Sequence, residues 1–344
     1  MTFMKSVVVA LAICSFAAHA KAQQFCVTTT SELRAALAAA SDGGASANDQ
    51  VSIELAAGTY STADGLGRFL YTNTSATSSL HFWGGFNADC SQMGEDASVT
   101  VLDGNNATQV LVANSTAGYV DILNLTVQNA NTNQYGAGIA VNAGSATTSG
   151  DVLLRNLIIR NNHTSGYHGG FRAFARGTHV IYFDNNLVVG NSADNGYGAG
   201  ELYAENQIYV RYDTLADNTT TSAGIGGLLC AGVPNCEIAN SVFWQNSNQD
   251  LYVFYDAAMY FDDIAHITGN TPSTIVSPVA GDPLFVDPAN GNYHLGNGSP
   301  LLAVSTYLDS GTDNDIEGHN LPQTGTTDLG AYLDTIFNDT LEVP

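Results

Sequence analysis

Short apolar runs bounded by polar residues recur along the middle of the chain. Five segments share a six-residue frame: Asn124-Leu-Thr-Val-Gln-Asn129, Asn156-Leu-Ile-Ile-Arg-Asn161, Asn186-Leu-Val-Val-Gly-Asn191, Asp213-Thr-Leu-Ala-Asp-Asn218 and Ser241-Val-Phe-Trp-Gln-Asn246. The closing Asn returns after 32, 30, 27 and 28 residues, and Asn270 offers a sixth repeat 24 residues later. In four consecutive repeats a glycine stands nine residues after that Asn, at Gly138, Gly170, Gly200 and Gly227, and leads into another short apolar run. Each repeat therefore holds at least two short strands separated by a turn. Runs this short fall below the roughly ten residues a helix needs.

Short strands repeating at this period, with polar residues at fixed corners, predict a parallel β-solenoid. Its coils stack about 4.8 Å apart, so equivalent residues form columns. The frame predicts one corner column of Asn124, Asn156, Asn186, Asp213 and Ser241, and another of Asn129, Asn161, Asn191, Asn218 and Asn246. Stacked Asn side chains hydrogen-bond along a column, and Asn tolerates the left-handed backbone of a tight corner. Leu125, Leu157 and Leu187, with Val127, Ile159 and Val189, are the expected interior columns.

The flanks differ in pattern. Met1 to Ala22 reads as a secretory signal: Lys5 is the charged start, Ser6 to Ala18 the apolar core and Ala20-Lys21-Ala22 the cleavage site. The apolar core is too short for a membrane anchor, the alternative. Thr30 to Ser41 predicts a short helix over the open end of the first coil, where it would cover an unpaired edge. The expected organisation is a signal over 1–22, an N-terminal cap over 23–49, the solenoid over 50–280 and a C-terminal cap and tail over 281–344.

Charge narrows the function classes. The chain carries 9 Lys+Arg against 32 Asp+Glu, a net charge of −23. Loss of the leader would remove both lysines and leave −25. Nucleic-acid binding, which needs cationic patches, is excluded as an expectation. No stretch after the leader has the ~20 apolar residues of a membrane span. Gly at 35 and Asn at 31 residues favour turns over helices. Four cysteines remain after the leader, an even number that suggests two disulfides in an exported chain. Proximity pairs Cys230 with Cys236 and leaves Cys26 with Cys90, worth roughly 2 and 4 kcal/mol by loop closure. Zinc is the rival use of four cysteines, but no CxxC pair exists.

Three stretches carry a resemblance to a known family. They are the capping segment with Ile53 to Tyr60 (IELAAGTY); Leu80 to Cys90 (LHFWGGFNADC) with Thr100 to Gly104 (TVLDG); and Asp282 to Leu301 (DPLFVDPANGNYHLGNGSPL) with Asp328 to Leu333. Together they resemble the right-handed parallel β-helix proteins of the pectin-lyase-like superfamily. The glycine turns and Phe243-Trp-Gln-Asn246 are similar to the repeats of bacterial polymorphic outer membrane proteins. The resemblance implies an all-β, right-handed parallel β-helix with a short N-terminal capping helix and an irregular C-terminal cap. It covers most of the chain but does not select an activity, because that superfamily includes lyases, hydrolases, epimerases and adhesins. The stretch after Leu333 is too short for a membrane β-barrel, so a self-translocating autotransporter is not expected.

Three groups could carry chemistry on such a scaffold. Tyr135, Tyr167 and Tyr197 each fall six residues after a closing Asn and would stack on sugar rings, or only on one another. Arg172 and Arg176 of one repeat face Glu201 and Glu205 of the next, with His168 and His179 flanking. They are candidate catalytic residues of a polysaccharide lyase or glycoside hydrolase, with His168 and the tyrosines binding substrate; plain cross-strand ion pairs are the alternative. Asp309, Asp313, Asp315 and Glu317 precede a Gly and alternate oxygen ligands, which suggests a calcium clip or else a solvated acidic loop. There is no phosphate loop, HExxH or GxSxG motif. The expected protein is a secreted or cell-surface monomer that presents a carbohydrate- or surface-binding face to a polysaccharide or cell-surface glycan. A lyase or hydrolase is the alternative.

Overall fold

The computed structural model describes residues 22–116, 119–145, 148, 150–221, 223–308 and 314–334. Apart from Ala22, the expected leader lies outside them. The described chain is an all-β parallel solenoid. One face is an eight-stranded parallel sheet, one strand per coil, from Phe69–Asn73 through Ile139–Ala143, Phe171–Ala175 and Gly200–Ala204 to Ile267–Gly269. A second face belongs to a sixteen-stranded sheet running from Ala22–Val27 to Thr274–Val276, and a third is a four-stranded sheet of two-residue strands.

Alternate residues of each strand point inward, and most inward positions are apolar. Val127, Ile159, Val188, Leu215 and Phe243 form one inward column, each fully buried. Burial contributes about 1.5–3 kcal/mol per side chain of this size. This corrects the expected interior. Leu187 pairs with Ile158 and Val189 with Arg160, so both face outward. They are covered there by Tyr293, Ile316, Ala331 and Tyr332 of the segment that follows the last coil.

The corners carry a second correction of the same origin. The left-handed residues of one corner are Asn124, Asn156, Asn185, Tyr212, Asn240 and Phe261, with φ between 51° and 58°. Those of the next are Asn129, Asn161, Gly190, Asp217 and Gln245. Asn186 and Asn191 therefore do not continue the columns of Asn156 and Asn161; each sits one place further on and points inward. There Asn162, Asn191, Asn218 and Asn246 form a ladder, each Nδ2 donating to the next Oδ1 at 3.0 Å, and Asn246 to Asp250. The same amides donate to the carbonyls of Val127, Ile159, Val188 and Leu215. Each side chain thus satisfies peptide groups that turn away from the sheets, as burial demands. A shorter ladder runs from Asn186 through Asp213 and Ser241 to Asp262. Burial pushes the Asp213 carboxyl well above the carboxylate range, and Asp262 to about 8.

The predicted helix forms over Thr30–Ala40. Thr29 and Glu32 close a capping box, and Leu33, Ala36, Leu37 and Ala40 are buried against the first strands. Disulfides join Cys26 to Cys90 and Cys230 to Cys236, with Cα–Cα distances of 5.6 and 6.4 Å. The described residues after the last coil run back along the flank of the solenoid. Tyr293 Oη donates to Asp217 at 2.8 Å, and Asn314 hydrogen-bonds to Glu95, near the first coils. Among the described residues no helix is long and apolar enough to cross a membrane.

Candidate functional site

The outer surface of the eight-stranded sheet brings most of the candidate residues together. Inward positions of its central strands are Phe171 and Ala173, then Gly200 and Leu202, so Arg172, Phe174, Glu201 and Tyr203 alternate outward. Register places Arg172 beside Glu201 on one side and Ala140 on the other. The pairing of Arg172 with Glu201 follows the expectation: Arg172 Nε lies 3.1 Å from Glu201 Oε2. Glu201 is not an inward carboxylate; Gly200 takes the place in the interior column of Ile139, Phe171 and Leu228.

One hydrogen-bonded row crosses the coils here. Asn114 Nδ2 donates to Thr72, Asn142 Nδ2 to Asn114 at 2.8 Å, and Arg172 Nη1 to Asn142 Oδ1 at 2.8 Å. Beyond Arg172 the row reaches Glu201 and then His168, whose Nε2 lies 3.3 Å from Glu201 Oε2. His168 is 6% exposed. Burial first, and the Arg172 charge second, depress its imidazolium to about 3. The ring is therefore held neutral beside Glu201. Its Nδ1 is buried without a partner among the described residues. Burial raises the Glu201 carboxyl, and Arg172 counteracts that.

Arg176 and Glu205 behave differently. Glu205 Oε2 accepts the Gly177 N–H at 2.8 Å. Arg176 is exposed, makes no ion pair among the described residues, and lies with its guanidinium 5.2 Å above the Phe174 ring. Arg172 shares that ring at 4.7 Å, and Phe174 stacks on Tyr203 at 4.2 Å.

The tyrosines form no single column. Tyr135 and Tyr167 meet edge to face at 5.6 Å and are about half exposed, whereas Tyr197 stacks flat on His168 at 5.4 Å. Register explains it. Coils here are offset by 29 residues, so Tyr167 lies opposite Gly196 and His168 opposite Tyr197. The equal spacing from the closing Asn misled because that Asn itself changes place between the two repeats.

Two adjoining depressions, of about 340 and 390 Å³, lie along this face and share Asn114, Asn142 and Arg172. Arg176 and Phe174 line the first; Arg68, Gln109 and Tyr135 line the second. Arg68, Asn114, Asn142, Phe174 and Tyr203 escaped the sequence reading, because only the register brings residues from five coils to one surface. Three of the seven Arg residues line the two depressions, and no Asp or Glu does.

The acidic loop lies elsewhere. Asp315 accepts the N–H groups of Glu317, His319 and Leu333, and contacts His319 Nδ1 at 3.0 Å. Glu317 Oε1 is 3.3 Å from His294. Asp309 and Asp313 lie outside the described residues. Among the described residues no group of three or more His, Cys, Asp or Glu is placed to hold a metal ion. Comparison of the chain with family models, curated proteins and solved structures finds no match.

Proposed function

We propose that this is an exported β-helix protein whose outer sheet face binds an acidic extracellular glycan. The observation that carries the reading is the segregation of charge: in a chain of net charge −23, Arg68, Arg172 and Arg176 line two adjoining depressions with no Asp or Glu in their lining, and Glu201 at their edge is paired with Arg172. A local cationic surface attracts an anionic ligand despite unlike net charge, because screening limits the reach of the distant carboxylates to about 8 Å at physiological salt. The amides of Asn114 and Asn142 are hydrogen-bonding partners for sugar hydroxyls, and the exposed Tyr135 and Tyr167 rings suit the apolar faces of pyranoses. The reading of the first residues as an export signal and the two disulfides support an extracellular site of action. The pectin-lyase-like resemblance is part of this proposal and agrees with a parallel solenoid.

Binding is better supported than catalysis. The Arg172 guanidinium is held by Asn142 and Glu201, so it is poorly placed as a proton acceptor. Glu201 is engaged by Arg172 and His168, which leaves no free carboxylate pair for hydrolysis. The test is calorimetry of the protein from Gln23 onward against polygalacturonate, alginate and a neutral glucan. Saturable binding of an acidic chain, weakened by Arg176→Ala, is expected. Equal affinity for the neutral glucan would overturn the charge argument. Release of unsaturated uronates or of new reducing ends would replace binding by catalysis.

A further inference from the structure

The two ends of the solenoid are finished differently. At the first coils the helix Thr30–Ala40 lays Leu33 and Leu37 over the interior. At the other end no described helix covers the interior columns. The column of Val210, Ile238 and Met259 ends on Ile275, which is 49% exposed although Met259 below it is 3% exposed. The columns of Leu251 and Phe243 end on Ile267 and Ile264. Among the described residues the last strands, Asp263–Ile264, Ile267–Gly269 and Thr274–Val276, each pair on one side only. The described residues after them pack on the flank instead. Apolar interior and unpaired edge thus face outward together, a combination that accepts an added strand.

Charge says what kind of strand. No Lys or Arg follows Arg211, whereas Asp and Glu number 17 in that stretch. Asp256 stands against this end, accepting the Ser273 N–H at 2.9 Å, and Asp282 is exposed after it. A second copy of the chain would oppose acid with acid.

We propose that the terminal coil docks an extended, basic segment of another protein. The segment adds as a strand to the Thr274–Val276 edge. Its apolar side chains cover Ile267 and Ile275, and its Lys or Arg side chains meet Asp256 and Asp282. The probe is a fluorescent peptide of alternating Val and Lys, titrated by anisotropy into the protein at about 150 mM salt, where surface attraction alone is screened. Binding is expected, with no binding of the Val–Glu counterpart and a loss of about tenfold or more in Ile275→Lys. The thermal transition of that variant reports its folding. Asp282→Asn, which keeps an acceptor for the Leu284 N–H, serves as a second variant and should weaken binding about threefold. Undiminished binding to folded Ile275→Lys would overturn the proposal, as would equal binding of the Val–Glu peptide. Sedimentation of a dimer broken by Ile275→Lys would make a second copy the occupant. Binding only after removal of residues 335–344 would make it the chain's own tail.

Discussion

Asn162 Nδ2 donates to Asn191 Oδ1 at 3.0 Å, one link of a buried ladder that ends on Asp250. The same Asn191 oxygen accepts the Asn162 N–H, and the Asn191 amide serves the Ile159 carbonyl. Asn191→Ala therefore strands at least two buried groups and should cost about 2–5 kcal/mol. Asn161→Ala loses only the tolerance of a left-handed corner, about 1 kcal/mol. Urea denaturation of both variants checks the order, and an equal cost would mean the ladder carries no special load.

Arg172 and Arg176 lie four residues apart and should fail in different ways. Arg176 is exposed and makes no ion pair among the described residues, so Arg176→Ala should leave stability within about 0.5 kcal/mol and lower glycan affinity about five- to tenfold. Arg172→Ala leaves the half-buried Glu201 without its cation and should lower both affinity and the melting temperature. Calorimetry and thermal melts on the same samples separate the two.

His294 binds Asp334 through Nδ1 at 2.6 Å and Glu317 through Nε2 at 3.3 Å. Burial alone would lower its pKa, but the hydrogen bonds to Asp334 and Glu317 outweigh burial and lift it to about 10. Its folded value lies above the ordinary 6.5 or so. The stabilisation is then fully present below about pH 6.5 and lost as pH rises through about 10. His294→Gln should lower the melting temperature at pH 6 and differ little from the parent at pH 10.5. A deficit that stays constant with pH would assign His294 a packing role only.

Asp262 works in the same direction. Burial raises it to about 8, so its contribution to stability is fully present below the ordinary carboxyl value of about 3.9 and is lost as pH rises through about 8. Asp262→Asn, which keeps an acceptor for the Ser241 N–H, should flatten the decline in melting temperature between pH 5 and pH 9.

The bridges differ in reach. Cys26–Cys90 closes a separation of 64 residues and Cys230–Cys236 one of 6, so serine pairs should cost roughly 4 and 2 kcal/mol by loop entropy. Denaturation midpoints of the two double variants give the order, which should reverse only if chain entropy is not the dominant effect.

The solenoid was legible because its cause is local. Every coil must present apolar residues inward at short intervals and polar residues at its corners, and both demands write themselves into the chain at a period of 24–32 residues. The first helix was legible for the same reason, from Thr30 to Ser41 alone. The place of each Asn was not. A left-handed corner and an inward ladder sit side by side, and Asn suits both, one by backbone tolerance and the other by its amide. The adjacent pairs Asn161-Asn162 and Asn185-Asn186 were the signal, since each pair fills both places at once.

By itself, then, the sequence determined the architecture, the cysteine pairs and the meeting of Arg172 with Glu201. Only the tertiary structure decided the register. A shift of one residue between repeats turned Leu187 and Val189 outward and moved Tyr197 from Tyr167 to His168. It likewise took the register to gather Arg68, Asn114, Asn142 and Arg176 from four coils onto one surface. The physical reason is that hydrogen bonding between coils fixes which residues lie opposite, across turns of variable length, and a one-residue slip exchanges the two faces of every strand.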